Sequence, residues 1–148
     1  MIQLLDEKYI DQITNIRYIM QFDEKEEIKQ KEIKTQIKNY ISKHINKDLF
    51  IYGYLIDNKV VSTASLLIHE NYPSYENLSG IKGRLSTVFT LETYRQKGYQ
   101  KKVLKTIINK AKELKINIIK VNTNNPIAAN LYQSIGFKKQ NNAYKLTI

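Results

Sequence analysis

Asn125-Pro126-Ile127-Ala128-Ala129-Asn130-Leu131-Tyr132-Gln133-Ser134-Ile135-Gly136-Phe137 is the stretch on which the reading of this chain turns. Physically it is a short helix with both ends marked. Asn125 is a good N-cap, and Pro126 suits a first turn, where a missing amide costs nothing. Gly136 is a natural stop after the helix predicted over 128–135. Tyr132 sits inside that helix, and on its own it reads as a residue packing the helix against a sheet. Just upstream, Ile116 to Val121 is a nearly continuous apolar run, as buried strands tend to be.

The next segment outward is Val88-Phe89-Thr90-Leu91-Glu92-Thr93-Tyr94-Arg95-Gln96-Lys97-Gly98-Tyr99-Gln100-Lys101. A strand predicted over 85–91 runs into a turn with one glycine and emerges in a long helix. That helix carries the clearest period in the chain: Val103, Leu104, Ile107, Ile108, Ala111 and Leu114. Such a junction aims free backbone N–H groups and the positive helix end at one spot, which suits an anion and fits a pyrophosphate. Gly98 lets the backbone close on the phosphates, and Arg95, Lys97 and Lys101 add positive charge at the mouth. A glycine before a helix is more often only a turn, and that reading stands beside the first. The segment is not a Walker loop, because no Gly-x4-Gly-Lys-Ser/Thr occurs.

Elsewhere the periods alternate. Ile2 to Leu5 makes a short strand, and Asp6 caps a helix carrying Ile10, Ile13, Ile16, Ile19 and Met20. Asp23, Glu24, Glu26 and Glu27 open a second helix at its positive end, along which Ile33, Ile37, Ile41 and Ile45 form one stripe. Leu49 to Ile56 and Val60 to Ile68 flank Asp57-Asn58 and read as a β-hairpin. Residues 71–82 read as a loop. Phe137 to Ile148 suggest a last hairpin around Asn141-Asn142. The order β-α-α-β-β-β-α-β-α-β-β describes an α/β sandwich rather than a doubly wound sheet.

Composition narrows the chemistry. One domain over 1–148 is expected from length. Cysteine is absent and the histidines are His44 and His69 alone, so no disulfide, thiolate or histidine-rich metal site is expected. The start of the chain lacks a signal-peptide pattern and no apolar run is long enough to span a bilayer, so a soluble cytoplasmic protein is expected, with no membrane partner. A net charge of +10 invites a nucleic-acid reading. Yet only Arg17, Arg84 and Arg95 are arginines, and the lysines are scattered without base-stacking aromatics. The charge matches the drift of an AT-rich coding sequence, and nucleic acid is not the expected partner.

Together the two quoted segments resemble the GNAT superfamily of N-acetyltransferases. Arg95-x-x-Gly98 is similar to that family's Arg/Gln-x-x-Gly-x-Gly/Ala cofactor loop. The run from Asn125 is similar to its Asn-x-x-Ala-x-x-Leu-Tyr-x-x-x-Gly-Phe signature at every fixed position. The resemblance implies an α/β GNAT fold: a mixed, mostly antiparallel sheet of six or seven strands with about four helices. It implies acetyl transfer from acetyl-CoA to a primary amine of a small molecule or peptide, without a metal. Backbone groups of Val88, Phe89 and Thr90 would hold the acetyl carbonyl and the pantetheine arm. The loop Arg95, Gln96, Lys97, Gly98, Tyr99, Gln100 and Lys101 would hold the pyrophosphate through main-chain N–H groups. Asn125 would bond the pantetheine arm, unless it is only a cap. Tyr132 would protonate the leaving thiolate.

Each implied role has a physical reason. An amine attacking a thioester builds charge on the carbonyl oxygen, which a fixed N–H stabilises. Holding both substrates in line makes the step intramolecular. A phenol is a plausible acid for a thiolate, and such assistance is worth ~10²–10⁴-fold. The pattern also has departures. Gln100 stands at the second Gly/Ala position, which threatens cofactor affinity unless its side chain points away from the phosphates. Glu92 stands where a proline is common. Arg84 and Lys120 occupy places where relatives carry a glutamate base. Glu92, Glu70 and His69 are therefore only candidates, each equally readable as a surface residue.

In this fold the acceptor groove lies between the first two helices, the 71–82 loop and the last hairpin, here residues 140–145. Tyr72, Tyr75 and Glu76 could meet an amine, with Tyr18, Phe22 and Tyr40 opposite, or all could merely pack. Dense lysine argues against a polyamine acceptor. A homodimer is left open. The competing reading is a degenerate member that binds an acyl-CoA as a sensor without turnover.

Overall fold

The computed structural model describes residues 1–21, 27–140 and 143–148, with the side chains of residues 27 and 28 outside the description. In chain order the elements are β1 (Ile2–Leu4), α1 (Ile10–Met20), α2 (Glu27–His44), β2 (Leu49–Ile56), β3 (Lys59–Glu70), β4 (Ile81–Thr90), α3 (Tyr99–Glu113), β5 (Ile119–Lys120) and α4 (Pro126–Ser134). Asp6 caps a single 3-10 turn ahead of α1, accepting a 3.1 Å hydrogen bond from the Lys8 amide. Of the acidic run expected to open the second helix, Asp23, Glu24 and Glu26 lie outside the described residues, as does Phe22.

The sheet runs β1-β2-β3-β4-β5 in space, antiparallel through β4, with β5 parallel to β4. Asp57 and Asn58 join β2 to β3 with φ of 49° and 61°, the two left-handed residues of a type I′ hairpin turn. Ile10, Ile13 and Ile16 from α1, Ile41 from α2 and Ile45 just beyond it cover one face, against Leu49, Ile51 and Leu55. Val103, Leu104 and Ile107 from α3 cover the other, against Ala64, Leu66 and Leu85. β3 is thus clad on both sides. That is why Val60 to Leu66 are all buried, without the alternation of a half-exposed strand. Lys38 Nζ and Asp11 pair at 2.8 Å and clip α2 to α1.

Two expectations are corrected. Among the described residues the sheet has five strands rather than six or seven. The last hairpin fails as a strand pair: residues 137–140 and 143–148 carry no strand, and the expected turn at Asn141-Asn142 lies outside the described residues. Tyr144, Leu146 and Ile148 keep a period of two while standing exposed. A period gives a strand its faces but not its hydrogen-bond partner, and the neighbouring edge, β5, holds only two registered residues. β4 also starts at Ile81, earlier than Leu85, because Glu70–Ile81 pairing carries the ladder to the end of β3. Among the described residues no helix is long and apolar enough to cross a membrane.

Candidate active site

The site begins with a fault in the sheet. Thr63 stands opposite Phe89 and Ser65 opposite Ser86, so two steps on β3 face three on β4. The extra residue sits at Thr87, whose φ is +49°. Left-handed backbone at a β-branched residue is a strained, uncommon state that the surroundings must impose. Thr63 Oγ1 helps by donating a 2.7 Å hydrogen bond to the Thr87 carbonyl. Such a bulge twists its strand away from a neighbour. β4 accordingly pairs with β5 only at Gly83–Ile119 and Arg84–Lys120. Beyond them, the outer edge of β4 through Val88, Phe89 and Thr90 has no strand beside it among the described residues.

The splayed edge leads directly to a set of open amides. After a 3-10 turn at Glu92–Tyr94, Gln96 and Gly98 both adopt left-handed φ, of 61° and 76°. Gly98 is the N-cap of α3 and no side chain caps that helix. Its first internal bond runs from the Lys102 amide to the Gly98 carbonyl at 3.2 Å, leaving the amides of Tyr99, Gln100 and Lys101 outside the helical ladder. A Cβ built on Gly98 meets no atom within 4 Å. The glycine therefore serves the backbone turn, and the space above it is open. Alternating left-handed residues ahead of an uncapped helix make a concave nest of N–H donors, which suits an anion.

The side chains around this nest fall into two sets. Gln100 points into the protein. Its Nε2 donates to the Thr63 carbonyl at 3.1 Å, and its Oε1 accepts from Thr90 Oγ1 at 3.1 Å and Ser62 Oγ at 3.3 Å. Tyr99 stacks on Tyr54 of β2, ring centroids 4.1 Å apart, and pins the start of α3 to the sheet. Arg95 folds back: its Nε donates to the Thr90 carbonyl at 3.1 Å and its guanidinium lies over Phe89. Lys97 reaches the ring of Tyr94, at 5.5 Å from its centroid, and Lys101 stays exposed.

On the far side of the gap stands α4. Asn125 Oδ1 accepts the Ile127 amide at 2.9 Å, so the residue is a true N-cap, and its Nδ2 keeps two N–H donors. Tyr132 is only 6% exposed and belongs to the core cluster on the α3 face, whose partly buried members include Val88 and Val121 from the two sides of the gap. Its ring tilts against Phe137, centroids 5.6 Å apart. Burial pushes its phenol above the ordinary tyrosine value, so the proton stays on oxygen at neutral pH.

A model of the acetyltransferase (GNAT) family matches residues 10–137 of this chain. The chain belongs to the GNAT acetyltransferase family. Similar folds agree with that membership. A predicted acetyltransferase from Clostridium acetobutylicum, solved with acetyl-CoA, superposes with a TM-score of 0.88 over 99% of this chain and 95% of its own, at 22% identity. A GCN5-related N-acetyltransferase from Ralstonia eutropha JMP134 gives 0.86 over 99% and 97%, at 11% identity. An aminoglycoside N-acetyltransferase, AAC(6')-Iy, solved with the bisubstrate analogue CoA-S-monomethyl-acetylneamine, gives 0.74 over 100% and 97%, at 15% identity. At these identities the likeness is one of fold. No curated protein matches the sequence.

GNAT membership sharpens where the sequence-predicted residues fall. Val88, Phe89 and Thr90 lie on the splayed edge, residues 95–101 form the nest, and Asn125 and Tyr132 stand on the helix after β5. The candidate bases do not gather there. His69 and Glu70 end β3, about 16 Å along the strand from the bulge at ~3.3 Å per residue. Glu92 is exposed in the first turn beyond β4. Tyr72, Tyr75 and Glu76 stand fully out on their loop. Sequence reading missed Thr87, Ser62 and Thr63, the residues that make and hold the bulge. Their partners are distant in sequence, and no local signal marks them.

Proposed function

We propose that this GNAT protein transfers an acetyl group from acetyl-CoA to a primary amine by direct attack in a ternary complex, as one domain over 1–148 acting in the cytoplasm. The carrying observation is the bulge at Thr87, which opens β4 away from β5 and ends at the uncapped start of α3. An extended, polar thioester arm with a diphosphate at one end fits that gap. Backbone groups of Val88, Phe89 and Thr90 hold the carbonyl and arm, the loop over residues 95–101 holds the diphosphate through main-chain N–H groups, and Asn125 Nδ2 bonds the arm. Gln100 is no obstacle, since its side chain faces the sheet.

In the transfer step the amine nitrogen bonds to the thioester carbonyl carbon and the carbon–sulfur bond breaks. Tyr132 gives its phenolic proton to the sulfur, the new amide nitrogen loses one to water, and the phenolate takes a proton back from solvent to complete the cycle. With no carboxylate beside the bulge among the described residues, the amine must arrive neutral or release its proton to solvent. AAC(6')-Iy, a protein of similar fold, binds the bisubstrate analogue CoA-S-monomethyl-acetylneamine, which supports a reading in which both substrates are held together.

Isothermal titration with acetyl-CoA, together with thiol release over an amine panel, tests the proposal. Tyr132→Phe should cut turnover ~10²–10⁴-fold while acetyl-CoA affinity holds. Failure of acetyl-CoA to bind would sink the enzyme reading. The second reading, an acyl-CoA sensor, is favoured by the lack of a nearby carboxylate. It gains if acetyl-CoA binds but no amine turns over.

A further inference from the structure

The face of the sheet under α1 and α2 carries a polar strip that neither packing nor the proposed acetyl transfer uses. Leu67 and Phe89 pack into the α1/α2 core. Residues directly opposite across an antiparallel pair share a face. Arg84, opposite Leu67, and Ser86, opposite Ser65, therefore project beneath the same helices, with Lys82 opposite His69 next along β4. Ser65 and Ser86 are joined by a 2.8 Å hydroxyl bond.

α1 supplies the other wall. Its inward stripe of Ile10, Ile13 and Thr14 continues by period to Arg17, which is half-buried. Thr14 is only 5% exposed, yet its Oγ1 has no hydrogen-bond partner. A helical threonine usually satisfies itself on the carbonyl four residues back. Here that bond is not made, and the hydroxyl waits one turn ahead of Arg17.

The charges on this strip do not balance. Neither Arg17 nor Arg84 has a carboxylate partner among the described residues. Both charges are felt at the Tyr40 hydroxyl of α2, Arg17 from α1 and Arg84 from β4. Burial lowers the Arg17 pKa, as expected of a guanidinium losing water, and the Tyr40 hydroxyl opposes that shift only in part. The carboxylate felt at Tyr40 is Asp48, and His44 Nδ1 already holds it at 2.8 Å. Keeping the Arg17 guanidinium half out of water without a partner is unfavourable unless something anionic joins it, and Arg84 stands exposed on the same strip with its charge likewise unpaired.

We propose that the amine acceptor carries an oxyanion, a carboxylate or a phosphate, and that Arg17 and Arg84 bind it. The proposal rests on the acetyltransferase reading. Arg84 lies three residues before the bulge, about 10 Å along β4. An anion held there leaves the amine of the same molecule free to reach the splayed edge. A polycationic acceptor would instead meet the same two charges and be repelled.

The test uses matched probes in the thiol-release assay: amino acids against their α-amides, phosphoethanolamine against ethanolamine, and spermidine as the polycation. The expected result is that one acid series exceeds its neutral counterparts by about 10- to 100-fold in kcat/KM, the worth of a charge-assisted hydrogen bond. The series that leads tells carboxylate from phosphate. R17Q and R84Q should each erase most of that preference while acetyl-CoA affinity stays unchanged. K105Q, on the exposed side of α3, should leave the preference intact. Equal rates for acid and neutral probes, or a preference for spermidine, overturn the proposal while leaving the enzyme reading standing. Weakened acetyl-CoA binding in R17Q and R84Q also overturns it, by assigning the arginines to the other substrate. Should nothing turn over, calorimetry of the same probes into CoA-loaded protein decides. Acid-selective binding lost in R17Q supports the proposal, and no selectivity overturns it.

Discussion

Gln100 stands where the resemblance to the GNAT cofactor loop implies a small residue, and its contacts explain how a long side chain is accommodated there. It satisfies the Thr63 carbonyl and joins the hydroxyls of Ser62 and Thr90, which also bond each other at 2.8 Å. Ser62 and Thr63 are wholly buried, so these partners have no water to fall back on. Gln100→Ala restores the family's residue yet should cost about 1–3 kcal/mol in urea denaturation, since buried groups lose their partner. Acetyl-CoA affinity should stay near wild type, because the amide of residue 100, not its side chain, faces the nest. A stable Gln100→Ala protein would show that the network is relieved by water. Gly98 predicts the opposite division. At φ of 76° an alanine costs only ~1 kcal/mol, and its methyl meets no protein atom. The same methyl would protrude into the space assigned to the diphosphate. Gly98→Ala should therefore weaken acetyl-CoA tenfold or more by calorimetry while the fold survives, and an unchanged affinity would move the diphosphate elsewhere.

At the scale of elements, α4 separates two jobs that the sequence left superposed on Asn125. Its Oδ1 caps the helix and its Nδ2 remains available as a donor. Asn125→Asp keeps the oxygen and removes the donor, and a carboxylate also suits the positive helix end. Thermal stability should hold or rise slightly while acetyl-CoA binding weakens. If Asn125→Asp binds as well as wild type, the residue is a cap alone. This helix was legible because its signals are local: a cap, a proline in the first turn and a glycine with φ of 109° at position 136. α3 and the β2–β3 hairpin were legible for the same reason, through a sustained helical period and a two-residue turn. The last hairpin was not, because a strand exists only with its partner, and β5 offers two residues. The bulge at Thr87 was equally hidden, for it depends on register against β3 and on the Thr63 hydroxyl. Arg17 lay closer to view. Extending the stripe Ile10, Ile13 and Thr14 by one step reaches it.

For the whole molecule, stability against pH sets two opposed terms against each other. The formal charge at pH 7 is +10, and only fourteen carboxylate residues answer twenty-four lysines and arginines. Self-repulsion of that excess weakens the compact state, and it eases as lysines begin to lose protons on the alkaline side. Tyrosine works the other way. Burial raises the phenols of Tyr132, Tyr52 and Tyr40 above their ordinary range, with Glu113 adding to the effect at Tyr52 and Asp48 at Tyr40. Above about pH 10 the unfolded chain ionises these phenols while the folded chain still holds their protons. The unfolded state then binds fewer protons, so stability falls as pH climbs from that point toward the raised folded values. The expected urea midpoint therefore rises modestly from pH 7 to 9 and drops beyond 10. Salt should flatten the first limb by screening the charge excess, and should leave the second largely in place because it stems from burial. Tyr132→Phe should shallow the alkaline drop, as the most deeply buried of the three phenols is gone. An alkaline limb of unchanged depth in that variant would mean that the ring of Tyr132 reaches water well enough to ionise in place.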